Sequence, residues 1–302
     1  MQLIEAYIAI IPVTLSQSLL LSFLALAIMI PFRVLNFPDM SAEGAYPLGG
    51  CVCAVALVAG FSPLVALALA AMAGFLAGAA TAFIHLRFRI HTLLAGILVT
   101  TMIYSLDLRI LGKANQPLFN ESKIFDHFAG LGLQPTPTKI VAAGLMVLVT
   151  YLVLQIWFQT ERGIAMRAVG ANSDMSEAQG INVWRVTLGS IGLAGAFAAF
   201  GGGLMVQSQG FADVNMGLGV LINALAALMI GEAIVGTRRM WQQLLAPFAG
   251  AIIYYQLISI CLVAGLAPGD LKIATGVFVL LMLAGPELRR RKAPRAKARG
   301  NG

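Results

Sequence analysis

Acidic and amide side chains break into this chain at three places, and each break suggests a chemistry. In RVLNFPDMSAEGAYPLGG (33–50), Asp39 and Glu43 stand four residues apart, beside Asn36 and Tyr46. In QSQGFADVNMGLGV (207–220), Asp213 and Asn215 hold a similar position, and Asn223 follows just inside the next apolar run. In RAVGANSDMSEAQGINVWR (167–185), Asp174 and Glu177 are three residues apart and framed by Gly170 and Gly180. Carboxylates and amides in apolar surroundings are costly unless they meet a partner or a water-filled path. The first two groups are therefore candidates to line a route for a solute or an ion. The third reads as a capped helix: Asp174 at the N-cap, Glu177 reciprocating as in a capping box, and Gly180 at the left-handed C′ position. That helix spans roughly 175–179, too short to stand alone in water, so it needs something to pack against.

Enzyme chemistry finds little to work with. There is no GxxxxGK[ST], no HExxH, no GxSxG and no acid pair at prenyltransferase spacing. His85, His91 and His127 are scattered at connections. Cys51, Cys53 and Cys261 lie in apolar runs with no second CxxC, as small buried hydrophobes do.

The elements that must position these residues are membrane helices. The 302-residue chain is 59% hydrophobic and 11% charged, against about 25% charged in a soluble domain. Its apolar blocks are about 20 residues long, the length that crosses roughly 30 Å of hydrocarbon. The expected fold is all-α and polytopic, with eight or nine spans near 10–31, 45–60, 63–84, 92–112, 139–159, 185–208, 215–236, 243–265 and 271–285. Residues 1–288 form one transmembrane domain, with an external loop at 113–138 and an internal loop at 160–184, and 289–302 form a basic tail. No cleavable signal is expected, because Glu5 sits where a basic segment should precede the first span.

The net charge of +7 is located in that tail, whose seven basic residues leave 13 against 13 before it. A basic tail after a last span reads as a cytoplasmic anchor to membrane lipid, not as a nucleic-acid arm. With the C-terminus inside, 15 of the 20 basic residues fall on the cytoplasmic side. The positive-inside rule then puts the N-terminus outside for nine spans.

The two breaks echo each other: Phe37-x-Asp39-Met40 with Gly44, against Phe211-x-Asp213-Val214 with Gly217. Each precedes an apolar helix, one entering from inside and one from outside, as in an inverted-topology repeat with broken or re-entrant elements beside a central pathway. A plain headgroup-level loop is the alternative for the first break. Asp107 and Arg109 are expected to snorkel at the outer end, Asn223 to need a partner or water, and Glu232 to pair with Arg238 or Arg239. The GxxxG at Gly74 and Gly78 and the small residues Gly195, Ala199 and Gly203 fit either internal helix packing or a subunit interface.

The internal loop carries a specific resemblance. Arg167, Ala168, Gly170, Asn172, Ala178, Gly180, Ile181 and Asn182 match, in order, the coupling segment of permease subunits of bacterial ATP-binding-cassette importers, in the branched-chain amino acid, ribose and nucleoside branch. Leu35, Asn36, Phe37, Gly44, Ala45 and Tyr46 resemble that family's motif after its first long span. GLGVLINALAALMIGEAIVG resembles its late glycine-bearing span, with Glu232 where a second glycine is usual. The resemblance implies a multi-pass permease of the bacterial inner membrane, not itself an enzyme and without a cofactor of its own. It implies partner ATPase subunits that bind ATP and magnesium, an extracytoplasmic solute-binding protein, and a second copy or a homologous permease. Arg167, Gly170, Asn172, Asp174, Glu177, Gly180 and Asn182 would form the surface that meets the ATPase. The flavour of FPDMSAEGAYPLGG is similar to the branch that carries tryptophan, tyrosine or related small solutes. The rival from another class is an ion-coupled secondary transporter, in which Asp39, Glu43 or Asp213 would bind the ion.

Overall fold

Proline decides where the first span ends. In the computed structural model, α1 (Gln2–Met29) passes into a single π-helical turn at Ile30–Val34, with Pro31 at its start. Pro31 cannot donate a backbone hydrogen bond, and the turn closes instead through Leu35 N–H to Ile30 O at 3.1 Å and Phe37 N–H to Pro31 O at 2.9 Å. Asn36 follows at φ +53°, a left-handed conformation that asparagine tolerates better than most residues, and the chain then runs without regular structure to α2 (Ser41–Val58).

The structure describes residues 2–119, 121–131, 135–266, 270, 273, 275–277 and 280. The expected ninth span and the basic tail lie outside the described residues. Beyond α2 come α3 (Pro63–Phe88), α4 (Thr92–Leu111), α5 (Pro135–Trp157), α6 (Glu161–Ala171), α7 (Ser173–Ala178), α8 (Val183–Gln209), α9 (Val220–Val235) and α10 (Met240–Val263). Among the described residues, eight helical stretches are long and apolar enough to cross a membrane. The sequence-based span limits agree with them to within a few residues.

α2 and α8 form the heart of the bundle, with 78% and 72% of their most apolar stretches buried, whereas α4 and α5 bury 28% and 17% of theirs. The GxxxG of α3 faces α8, not another subunit. A Cβ at Gly74 would overlap the backbone of Gly195, and one at Gly78 the backbone of Ile191. Small residues here bring two helices of one chain into close contact.

At one end of the bundle the connection between α4 and α5 packs down. β1 (Asn115–Pro117) pairs antiparallel with β2 (Phe211–Asp213), and Leu118, Ile124 and Phe125 are buried. Gln207, wholly buried, ties this end together: its side chain accepts from Ile124 N–H at 2.8 Å and donates to Pro63 O at 3.2 Å. The opposite end carries α6 and α7.

Candidate functional site

The two breaks meet. The first delivers α2, whose opening turn is held by Asp39: one carboxylate oxygen accepts from Ser41 N–H at 2.8 Å, the other from Ser41 Oγ–H at 2.6 Å. Asp39 is 2% exposed. Burial pushes its pKa up, and the two bonds from Ser41 pull the other way. The second break does the same local job. Asp213 Oδ1 accepts from Asn215 N–H at 2.7 Å and starts a 3-10 turn at Val214–Gly217. The two aspartates that matched in sequence are thus matched in geometry, each closing a turn onto the residue two further on.

Glu43 joins the two elements. Its Oε1 accepts from Gly219 N–H at 2.8 Å, 176 residues away, where the backbone turns into α9. Gly219 has φ +79°, and Gly217 lies so close to Glu43 O and Pro47 that a Cβ there would collide with both. Asn223, one turn into α9, accepts from Tyr254 Oη–H at 2.9 Å, the partner its depth requires. The remaining candidates are dispersed. Tyr46 is buried in the core, while Asn36 and Asn215 are exposed.

Three expectations are corrected. Asp107 does not snorkel: it is wholly buried, and neither carboxylate oxygen has a hydrogen-bond partner among the described residues. It continues the stripe Ala95, Val99, Ile103 along the buried face of α4, so helical register turns it inward. Glu232 pairs with Arg33, not with Arg238 or Arg239, and Arg33 Nε–H donates to Glu232 Oε1 at 2.6 Å. This bridge pins the π-turn of the first break to the far end of α9. Asp174 is not the cap of α7.

Asn172 holds that position. Its backbone is extended (φ −160°, ψ 104°), and its Oδ1 accepts from Met175 N–H at 3.0 Å. The helix accordingly starts at Ser173, two residues before the expected start, and Asp174 and Glu177 point to solvent. The other end is as expected. Gly180 takes φ +84°, Gly180 N–H bonds Glu177 O at 2.9 Å, and Ile181 N–H bonds Ser176 O at 3.0 Å, the two bonds of a Schellman motif. Asn182 Oδ1 then caps α8 through Arg185 N–H at 2.9 Å.

α7 is a fully capped helix of six residues in which only Ser176 is buried, and Met175 is 60% exposed. Its carrier, α6, is anchored. Gly163, Met166 and Val169 face inward, and Arg167 donates to Phe158 O at 3.2 Å. Gly170 lies against Val34 O so tightly that a Cβ there would overlap it. The loop bearing α7 therefore rests directly on the first break.

The family model for the branched-chain amino acid transport system / permease component matches residues 10–284. The chain belongs to that family. It is a permease component of an ABC-type transporter and a multi-pass membrane protein. It is similar to the tyrosine transport system permease protein of Clostridioides difficile (strain R20291), at 36% identity over 269 residues, 89% of this chain and 88% of that one. The ribose import permease protein RbsC of Escherichia coli (strain K12) is 27% identical over 201 residues, 64% of this chain and 60% of that one. The probable branched-chain amino acid transport permease protein LivH of Methanocaldococcus jannaschii is 28% identical over 228 residues, 70% of each chain. No solved structure matches.

Proposed function

We propose that this chain and a second permease subunit enclose the path of an ATP-driven importer in the bacterial inner membrane, and that α7 docks into a separate cytoplasmic ATPase. The solute is an aromatic amino acid or a related small organic molecule, a reading supported by the likeness to a tyrosine transport permease. A solute-binding protein delivers it at the β1–β2 end. The excess of basic residues at the α6–α7 end, Arg33, Arg87, Arg89, Arg162, Arg167, Arg185, Arg238 and Arg239, supports a cytoplasmic location for that end and for the C-terminus. ATP and magnesium are bound by the partner, not by this chain.

The observation that carries the reading is α7 itself. A six-residue helix with both ends capped and only Ser176 buried is a shape held ready for a partner. The contacts of α6, which carries it, supply a route inward: Gly170 on Val34, the π-turn into α2, and Glu43 onto Gly219 at the head of α9. Asp39, Glu43 and Asp213 each use at least one carboxylate oxygen on a backbone N–H, which favours positioning over ion coupling.

The test is co-purification and solute uptake with a candidate ATPase after Asp174→Arg together with Glu177→Arg. Both side chains are exposed, so the fold should survive while ATPase association and ATP-driven uptake fall sharply. Undiminished association and uptake would overturn the docking assignment. Uptake by the chain alone, driven by an ion gradient, would overturn the importer reading.

A further inference from the structure

A cleft of about 720 Å³ opens at the α6–α7 end between the junction of α5 with α6 and the face of α8. Its two ends differ in chemistry. Arg185 and Val186 line it from the first turn of α8, with Trp157 and Arg162 at the α5–α6 junction, while Gly189, Leu193 and Phe75, whose ring packs at Gly192, lie one to two turns further along α8. Along α8, Arg185 and Leu193 are eight residues apart, about 12 Å at 1.5 Å per residue. The cleft thus runs from a cationic rim well into the apolar slab.

The rim is short of anionic partners. Glu161 also lines it, yet the only ion pair among the described residues is Arg33 with Glu232, at another site. Neither the Arg162 nor the Arg185 side chain makes a hydrogen bond among the described residues, in contrast to Arg167. The first turn of α6 opens at the same rim without a side-chain cap. Thr160, the N-cap residue, donates its hydroxyl to Trp157 O at 2.6 Å and leaves the first amides of α6 without a side-chain acceptor. Uncapped amides at a helix N-terminus favour an anion, and planar guanidinium groups favour phosphate. Trp157 and Trp184 both lie at this level, where amphipathic rings mark the membrane–water boundary.

We infer that this cleft is a site for an anionic phospholipid, its phosphate held by Arg162, Arg185 and the first turn of α6, and an acyl chain laid along Val186, Gly189 and Leu193. The occupant must be anionic at one end and hydrocarbon at the other, because the cleft is. Placing it in the cytoplasmic leaflet rests on the orientation proposed above, but the binding chemistry does not.

The test uses the full-length chain in neutral detergent, titrated with phosphatidylglycerol, with phosphatidylcholine of the same acyl chains, or with inorganic phosphate. Thermal unfolding and native mass spectrometry are the readouts. Phosphatidylglycerol should raise the unfolding midpoint saturably and remain bound at one per chain, and the other two should do neither. Arg162→Gln with Arg185→Gln should weaken that binding roughly 30-fold, about 1 kcal/mol per arginine. Both side chains are exposed, so this variant should fold. Gly189→Phe, which fills the depth and keeps both arginines, should also lose the lipid. Equal stabilisation by phosphatidylcholine, full stabilisation by inorganic phosphate, or unchanged lipid binding in both variants would overturn the site. So would a disulfide between two copies carrying Leu193→Cys, which would show the cleft covered by protein. Loss of ATPase docking in the Asp174/Glu177 variant bears on none of these outcomes, so the two proposals fail separately.

Discussion

The caps of α7 offer the most direct test of how the loop works. Asn172→Ala removes the acceptor of Met175 N–H, and N-cap losses of this kind cost about 1 kcal/mol. Gly180→Ala places a Cβ on a residue at φ +84°, where nothing lies within 4 Å of it, so its cost is backbone strain alone, about 1 kcal/mol. The two changes sit at opposite ends of a six-residue helix and should add to about 2 kcal/mol. That lowers the ratio of formed to unformed α7 by about 30-fold. If only the formed helix binds the ATPase, apparent affinity falls by up to the same factor. The global fold should hardly respond, since Ser176 is the only residue of α7 that is buried. The assay is ATPase binding to detergent-solubilised permease, paired with thermal unfolding of the permease. The expected result is a tenfold or greater loss of affinity in the double variant with an unchanged unfolding midpoint, and recovery in Asn172→Asp, which can still accept from Met175 N–H. Wild-type affinity in the double variant would refute the claim that a preformed α7 is what the partner recognises.

Further outcomes follow from the packing and the charges. Gly231→Ala and Gly250→Ala should each destabilise the chain by several kcal/mol in thermal unfolding, because the added Cβ would overlap the backbone of Ala246 or Ala227 across the α9–α10 contact. In the Arg33–Glu232 pair, the side chains are 48% and 8% exposed. Arg33→Gln, which strands a nearly buried carboxylate, should therefore cost about 1–3 kcal/mol, and Glu232→Gln, which leaves a half-solvated guanidinium, less than about 1. Asp107→Leu should raise the unfolding midpoint, since it removes a buried carboxyl with no hydrogen-bond partner among the described residues. Burial raises the pKa of Asp39 above its ordinary 3.8. The folded state then holds that proton more tightly than the unfolded chain, so the stability it adds is complete below about pH 3.8 and is lost as pH rises through the folded pKa. In Asp39→Asn this component should vanish from the stability–pH curve.

What could be read in the sequence follows from the range of the forces involved. Span lengths come from bilayer thickness, and Gly180 and the acid-bearing breaks act on their immediate neighbours, so all of them were legible in order. The cap of α7 was misplaced because the stretch NSDMS (172–176) offers several short acceptors. Asn172 and Asp174 can both cap, and only the extended backbone at Asn172 decides between them. The partner of Glu232 was hidden because Arg33 is 199 residues away, nearer in space than Arg238 or Arg239 only once α1 and α9 have packed. Asp107 was misjudged by its depth along α4. The stripe from Ala95 through Val99 and Ile103 gave the better signal, because register on a helix fixes which way a side chain faces.

The arrangement of the two breaks bears on how a push at α7 could reach the path. Rigid helices transmit motion well, but a bundle as closely packed as α2, α3 and α8 resists sliding, since its glycines leave no slack. Movement is easier where regular hydrogen bonding already stops. The chain places two such points in series: the π-turn at Ile30–Val34, pressed by Gly170 of α6, and the 3-10 turn at Val214–Gly217, reached through Glu43. Arg33 closes the circuit by holding the first joint to the C-terminal end of α9, whose N-terminal end adjoins the second joint. Under the proposed docking, displacement of α6 would therefore act on both ends of α9 at once. A helix held at both ends tilts as a unit more readily than it slides. This favours rocking of α9 against α2, with Glu43 as the pivot, over a local opening at either break.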